Sequence, residues 1–293
     1  KLYLIKNNLD ASERIFKNLA TLDSENPEYS YQLGVVSSVK KDGNGMLRNF
    51  LSAYQKDTTH IKSVFQLAKT YTLLKVKDSA RLFINKGLQL DSLHINLNRL
   101  KINELFRTKK YKEAIGLLQE IDTIEPNELY TQKMLGRSYF NVEQYDEAEK
   151  SFNKAKVLDK EDFKIYKHLG HIEKVRKNYR KAMLNYFRAT TVGKKPRNEE
   201  YYSLGLLYLE MKQLKMAIEM FKKSIKESNR FYKVLYQLAI SSDSYYKDKK
   251  ISYEHYKNYL NMFEYRDKDI TVFVKHRIKE IKKELFLKGE NVE

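Results

Sequence analysis

The sequence predicts an all-α solenoid built from stacked helix-turn-helix repeats. The main indication is a pattern of small and aromatic residues that returns every 34 residues along most of the chain. Only three prolines interrupt the chain, and 42% of its 293 residues are hydrophobic. This composition suits a nearly all-helical protein with a continuous core, so strands are not expected.

The repeat is clearest at residues 129–162. Its first half carries the pair Leu135-Gly136. Its second half carries Ala148 and, four residues later, Phe152. The same register predicts a partial repeat at 1–26 and full repeats at 27–60, 61–94, 95–128, 129–162, 163–196, 198–231 and 232–265. We expect these repeats to form a single solenoid over the whole chain.

Small residues recur at fixed places because neighbouring helices must approach closely there. The eighth place of the first helix holds Gly34, Ala68, Gly136, Gly170, Gly205 or Ala239. The equivalent place of the second helix holds Ala80, Ala114, Ala148, Ala182 or Ala217, and the place four residues later holds Phe50, Phe152, Tyr186 or Phe221. We expect these rings to fill the space between successive repeats.

These residues resemble the tetratricopeptide repeat family, whose motif joins a Leu-Gly pair, an aromatic, an Ala, a second aromatic and a second Ala. The resemblance covers almost the whole chain. It implies a right-handed superhelix whose first helices line a concave inner surface. Two repeats depart from the motif, because Lys101-Ile102 replace the Leu-Gly pair in one and Glu173 replaces the first aromatic in another. Packing is expected to differ at these two places.

A capping helix is predicted at residues 269–287. Its apolar residues recur every three or four positions, at Ile270, Val274, Ile278, Ile281 and Leu285. That spacing places them on one side of a helix, with lysines on the other. A solenoid needs such a terminal element, with a polar outer face, to close its core.

Two glycine-containing segments predict connections rather than binding sites. Residues 193–197 include Pro196 and predict a loop between repeats. The run Asp42-Gly43-Asn44-Gly45 predicts a turn whose glycines take left-handed backbone conformations. It lacks the Lys-Ser/Thr of a phosphate loop and the later Glu of a calcium loop.

The chain is strongly basic, with 56 Lys and Arg against 38 Asp and Glu and a formal net charge of +18. This charge favours an acidic partner such as a carboxylate-rich peptide, a nucleic acid or an anionic lipid. A Lys-rich solvated exterior would give the same charge without a binding role. The absence of cysteine excludes disulfides, thiolate nucleophiles and Cys-ligated zinc, and leaves the redox compartment open.

The compartment is indicated only weakly. No apolar run approaches the roughly 18 to 20 residues that span a bilayer, so a soluble chain is expected. The sequence begins at Lys1, partway through a repeat, and we expect that an upstream segment has been removed. This favours an exported or periplasmic location over a cytoplasmic one.

Because of the resemblance, the second, fifth, ninth and twelfth residues of each first helix are expected on the concave surface, since they share one helical face. In the middle repeats these places and their neighbours are mostly cationic. The predicted partner-binding residues are Lys62, Lys69, Arg99, Asn103, Arg107, Lys133, Arg137, Lys164, Lys167, His168, His171 and Lys174. Acidic residues such as Glu28 and Glu199 occupy the flanking repeats. We expect an anion-binding groove in which Arg side chains hold carboxylates.

The groove resembles, in part, the carboxylate clamp of tetratricopeptide proteins that bind chaperone tails. Arg99, Asn103 and Lys164 match three of its places, while Met134 and His168 stand at the other two. A looser site for an acidic peptide needs no such match.

The spacing of His168 and His171 can place two imidazoles on one metal ion. No third ligand lies on the same helical face, so titratable groove residues are favoured over a metal site. No cofactor is expected.

No enzyme signal is present, because no serine has a nucleophile-elbow context and no carboxylate pair stands apart from surface charges. We expect a non-enzymatic scaffold or adaptor that binds an acidic peptide or protein segment in the basic groove. One alternative is a single-stranded nucleic-acid-binding repeat protein, with bases stacked on Phe65, Phe106, Tyr130 and Phe140. Another is an accessory subunit of an envelope assembly. The oligomeric state is not indicated.

Overall fold

The computed structural model describes residues 8–192 and 197–290. Within these residues the chain forms sixteen α-helices and no strand, which confirms the all-α prediction. The helices are α1 (Leu9–Leu22), α2 (Pro27–Val39), α3 (Gly43–Lys56), α4 (Ile61–Leu73), α5 (Lys77–Leu90), α6 (Ile95–Arg107), α7 (Tyr111–Ile124), α8 (Leu129–Asn141), α9 (Tyr145–Leu158), α10 (Phe163–Val175), α11 (Tyr179–Thr191), α12 (Asn198–Glu210), α13 (Leu214–Glu227), α14 (Tyr232–Tyr245), α15 (Lys249–Phe263) and α16 (Lys268–Leu287). The predicted loop at 193–197 lies outside the described residues apart from Arg197.

Consecutive helices from α2 to α15 pair into helical hairpins, each with one helix from either half of a predicted repeat. The chain divides into two compact units, the first unit at residues 1–126 and the second unit at residues 127–293. The assignment of all repeats to one solenoid stays a prediction. None of the helices described has the length and apolar character of a membrane-spanning segment.

Glycine at the eighth place lets an aromatic ring of the second helix lie directly against the first helix. A Cβ added at Gly136 would lie 2.9 Å from ring atoms of Phe152, and one at Gly205 would lie 2.3 Å from the ring of Phe221. Such distances are too short for real atoms, so any larger residue forces the ring to move. The Phe152 ring also reaches the next repeat and stacks on His168, with ring centroids 4.8 Å apart. The rings therefore fill space within their own hairpins as well as the predicted space between repeats.

Two hairpins of the first unit replace the glycine and the ring by pairs of intermediate size. One has Ala68 and Ile84 at the equivalent places, and the other has Ile102 and Leu118. All four side chains are buried. A larger residue fits on the first helix because the facing residue is smaller than a ring. The departure from the motif at Ile102 is thus balanced by Leu118.

The second departure, at Glu173, places a carboxylate in a buried position where other repeats have an aromatic residue. Glu173 is only 6% exposed. Its Oε2 accepts a hydrogen bond of 2.9 Å from Nδ2 of Asn178, and its Oε1 lies 3.9 Å from Nη1 of Arg176. Partners from the following turn therefore compensate the buried charge.

Six of the described hairpin turns contain a non-glycine residue with φ between 58° and 63°. These residues are Lys41, Lys75, Lys109, Glu143, Lys177 and Lys212. The prediction of left-handed glycines after Asp42 is wrong, because Gly43 and Gly45 lie inside α3 and Lys41 takes that conformation instead. Asp42 caps α3 by accepting a hydrogen bond of 2.9 Å from the Gly45 backbone.

The predicted capping helix is present as α16. Its predicted apolar residues face the core of the last hairpin, next to Tyr256 and Tyr259. Arg277 of α16 donates hydrogen bonds of 2.6 Å and 3.2 Å to the carboxylate of Asp243 in α14. The outer face is less polar than predicted, since Phe286 is 73% exposed.

Candidate binding surface

The predicted binding residues all lie on the first helices of four hairpins. In the first unit they are Lys62 and Lys69 on α4 and Arg99, Asn103 and Arg107 on α6. In the second unit they are Lys133 and Arg137 on α8 and Lys164, Lys167, His168, His171 and Lys174 on α10. Helix α4 contacts α6, and α8 contacts α10. Each unit therefore holds its own adjacent pair of basic helices.

In the second unit three of these lysines are ion-paired with acidic residues on, or directly before, the first helix of the next hairpin. The pairs are Lys133–Asp162, Lys167–Glu199 and Lys174–Glu210. The Nζ of Lys174 lies 2.8 Å from Oε1 of Glu210. The lysines link one first helix to the next and are partly compensated, which leaves less charge for a partner. Glu199, which the sequence analysis separated from the basic row, belongs to this network.

In the first unit Lys62 forms the corresponding pair, with its Nζ 2.9 Å from Oε2 of Glu28. Burial of Glu28 opposes ionisation, but hydrogen bonds from Lys62 and Gln32 bring the pKa of Glu28 below its usual value. Lys69 and Arg107 are exposed and form no ion pair with any residue of 8–192 or 197–290. Their charge is available to a partner.

The remaining cations are spread over both units. Arg99 is half-buried on α6, and Arg137 is exposed on α8 with Nη1 3.4 Å from the sulfur of Met134. Lys164 is exposed, with Nζ 5.9 Å from the centre of the Phe163 ring. Met134 thus occupies the place where a carboxylate clamp has an amide, and a thioether is only a weak hydrogen-bond acceptor.

His168 and His171 are built into the packing of the second unit. The His168 ring stacks on Phe152, and Nδ1 of His171 lies 2.6 Å from the hydroxyl of Tyr186. Burial, with a smaller contribution from nearby Lys167, lowers the pKa of His168 to about 3 and the pKa of His171 to about 4. Both rings are neutral at physiological pH, in contrast to the titratable pair expected from the sequence. No cluster of three or more His, Asp or Glu suited to a metal ion occurs in the described parts of the chain.

Three of the four aromatic residues proposed for base stacking, Phe65, Phe106 and Phe140, are half-buried against other rings. The ring centroids of Phe65 and His94 are 5.4 Å apart, and those of Phe140 and Tyr145 are 5.6 Å apart. Rings held in such contacts are poorly placed to stack on nucleic-acid bases.

A pocket of about 430 Å³ lies between α4, α5 and α6 of the first unit. Its apolar wall is formed by Tyr71, Ala80, Ile84 and Leu100, and its polar rim includes Lys75, Lys77, Arg81, Asn103, Glu104 and Arg107. Two predicted residues, Asn103 and Arg107, thus meet in it. The sequence analysis missed the other residues that line the pocket, because the pocket depends on how three helices of two repeats meet. The one signal in the sequence was Ile84, where most other repeats have a ring.

Part of the rim charge is used inside the protein. Nε of Arg81 lies 2.6 Å from Oε1 of Glu104, and this contact raises the pKa of Arg81. Lys75 and Lys77 are exposed and, like Arg107, make no ion pair in the described part of the chain. The rim therefore keeps an excess of positive charge.

A second pocket, of about 570 Å³, lies in the second unit and is lined by Phe140, His171, Lys174, Val175, Lys177, Tyr179 and Glu210. Two of its lining residues, Lys174 and Glu210, form an ion pair with each other. This pocket consequently offers less uncompensated charge than the pocket of the first unit.

Comparison with known proteins shows that two segments of this chain match a repeat family. A family model described as tetratricopeptide repeat matches residues 134–162 and 201–230. No curated protein matches the chain in sequence. Among solved structures, a tetratricopeptide repeat protein from Parabacteroides merdae is 17% identical and covers 82% of this chain and 94% of its own, with a TM-score of 0.55.

Two further structures show the same fold. The Pseudomonas aeruginosa protein pilF is 15% identical and covers 80% of this chain and 97% of its own, with a TM-score of 0.54. Yeast Tom70 is 14% identical and covers 95% of this chain and 59% of its own, with a TM-score of 0.57. At such low identity the likeness concerns the fold alone.

Proposed function

Because this chain is a tetratricopeptide repeat protein, we propose that it is a non-enzymatic scaffold that binds an acidic segment of another protein. The first unit supplies the main contact, a basic surface formed by Lys69, Lys75, Lys77 and Arg107. Arg137 and Lys164 add positive charge in the second unit. These binding residues are thus some of the cations on the first helices, together with Lys75 of a hairpin turn and Lys77 at the start of α5.

The observation that supports this proposal is the excess of uncompensated charge between α4 and α6. Residues 61–107 contain nine Lys and Arg against three Asp and Glu. The four cations of the basic surface are all exposed and, among the residues that the structure describes, form no ion pair. Such a surface attracts carboxylates and accelerates encounter with an acidic partner.

Single-stranded nucleic acid fits this surface less well. Binding of unpaired bases uses aromatic faces as well as cations. Phe65 packs against His94 and Phe106 packs against Tyr111, so neither ring presents a free stacking platform.

The test compares two charge reversals of equal size in the full chain. In the first, Lys69→Glu is combined with Arg107→Glu, and in the control Lys215→Glu is combined with Lys226→Glu on α13, where both lysines are exposed. The probe is a fluorescein-labelled Glu-rich peptide at low salt. We expect the first variant to bind about tenfold more weakly and the control to change affinity by less than about twofold.

Fluorescence anisotropy measures both affinities, and added salt should weaken binding of the native chain. Equal losses in the two variants would show that only net charge matters. Tighter binding of oligouridylate than of the peptide would support the nucleic-acid alternative instead.

A further inference from the structure

Part of the pocket of the first unit corresponds to a place that aromatic rings fill in the second unit. In the second unit the ring of Phe152 and the rings of His168 and His171 pack together between α9 and α10. The equivalent places around the pocket hold Ile84, Leu100 and Asn103. Ile84 is smaller than Phe152 and Asn103 is smaller than His171, while Leu100 and His168 are similar in size. The two smaller residues contribute to the open volume.

The size of the pocket suits a bulky side chain. Its volume of about 430 Å³ falls in the range of about 300–1,000 Å³ that is typical of ligand sites. Tyr71, Ala80, Ile84 and Leu100 give it an apolar wall. Tyr71 is held in place by stacking on Phe83, with ring centroids 5.6 Å apart.

Exposed apolar residues and cationic residues adjoin the pocket along the chain. The turn between α4 and α5 exposes Leu73 and Leu74, which are 72% and 57% exposed. Lys75 and Lys77 follow closely along the chain and line the pocket, and Arg107, at the end of α6, also lines it. Separated cations around an apolar cavity fit several carboxylates that flank an apolar group better than one compact anion.

We propose that this pocket is the anchor site for one large apolar side chain, such as Phe, within the acidic segment that the chain binds. The anchor side chain enters between Ile84 and Leu100. Carboxylates on either side of it contact Lys75, Lys77 and Arg107. This inference rests on the proposed function and adds to it the sequence feature that the partner must carry.

The experiment uses the full chain and two fluorescein-labelled peptides of equal charge. One has a single Phe flanked on both sides by Glu residues, and the other has Ala in place of the Phe. We expect the Phe peptide to bind about tenfold more tightly or more, since an aromatic side chain leaves water on binding.

Two variants close the pocket from opposite walls. The double variant Ile84→Phe with Ala68→Gly recreates the glycine and the ring that face each other in other hairpins. The change to glycine is needed because a Cβ at that place would clash with the ring. Leu100→Phe fills the pocket from α6 without changing the hairpin. Both variants should keep the binding of the Ala peptide and lose most of the preference for Phe. Circular dichroism and thermal unfolding identify any variant that does not fold.

The outcomes separate this inference from the proposed function. If both peptides bind the native chain equally, or if folded Leu100→Phe keeps the full preference for Phe, the anchor site is refuted and the acidic-segment proposal stands. If neither peptide binds, both are refuted. The anchor site is supported if the native chain prefers the Phe peptide and both folded variants have lost that preference.

Discussion

The first and second units treat the same repeat positions in opposite ways. In the second unit the positions around Phe152 are filled by the histidines His168 and His171. In the first unit the equivalent positions hold Leu100 and Asn103, and a pocket remains. Equivalent positions thus hold rings packed on one another beside Phe152 in the second unit and line a cavity beside Ile84 in the first.

Charge differs between the two units in a parallel way. Lys133, Lys167 and Lys174 on the first helices of the second unit are paired with acids. Lys69 and Arg107 in the first unit are exposed and, within the residues described, have no ionic partner. The lysines of the first helices therefore have two different roles. Some stabilise the contact between repeats, while others face solvent.

The largest expected effect is a loss of stability at acid pH that is caused by His168 and His171, which are half-buried. The pKa of His168 is lowered to about 3 and that of His171 to about 4, against an ordinary value of about 6.5 in the unfolded chain. The unfolded chain therefore gains protons first as the pH falls. Stability should be constant above about pH 7 and should fall below pH 6.5 by up to about 1.4 kcal/mol per pH unit for each histidine.

Urea unfolding of the full chain between pH 7.5 and 5, about the range that brackets the usual His pKa, measures this loss. His168→Phe keeps a flat ring against Phe152 and cannot be protonated, so its stability should depend less on pH. An unchanged pH dependence in this variant would contradict the assignment of the loss to His168.

The next largest effect is expected from the glycine–ring pair, which two hairpins of the first unit replace by smaller side chains. Gly205→Ala places a methyl group against the ring of Phe221, where a Cβ would lie 2.3 Å away. We expect it to destabilise the chain by about 1–3 kcal/mol. Adding Phe221→Ile recreates the pair formed by Ala68 and Ile84, and should recover part of the loss.

Urea denaturation of the two single variants and the double variant forms a double-mutant cycle. Strictly additive losses would mean that residue size at the two places is not coupled. In that case the pair of Ala68 and Ile84 would not be an alternative solution to the same packing problem.

The smallest expected effect concerns the difference between the ion-paired lysines of the second unit and the solvent-facing cations of the first unit. Lys133→Met together with Lys167→Met removes two ion pairs of the second unit and should lower the free energy of unfolding by about 1 kcal/mol or less. Binding of an acidic peptide should hardly change. Lys69→Met together with Arg107→Met should weaken binding and leave stability unaffected.

Stability by urea denaturation and affinity by fluorescence anisotropy are measured on both variants. If the first variant lost as much affinity as the second, the paired lysines would also serve as binding residues. That result would remove the distinction between the two units.

Much of the fold could be predicted from the sequence, because the contacts between small residues and aromatic rings form within single hairpins. The recurrence of Gly136 and Phe152 at fixed offsets reports a contact within one hairpin, so it survives in the sequence as a period. The capping helix was predicted correctly from its apolar spacing. The left-handed residue at Lys41 was missed, because the run of glycines after it offered a simpler place for that conformation.

The sequence by itself determined the all-α fold, the positions of the first helices and which of their residues carry charge. The tertiary structure decided which lysines are paired, where Ile84 and Leu100 leave a pocket, and why His168 stays neutral. The physical reason is that pairing, cavity volume and desolvation arise between helices of neighbouring repeats. Those contacts join residues about one repeat apart, as Lys62 and Glu28 show. A repeat pattern gives the spacing of such residues along the chain but not the distances between their side chains in neighbouring repeats.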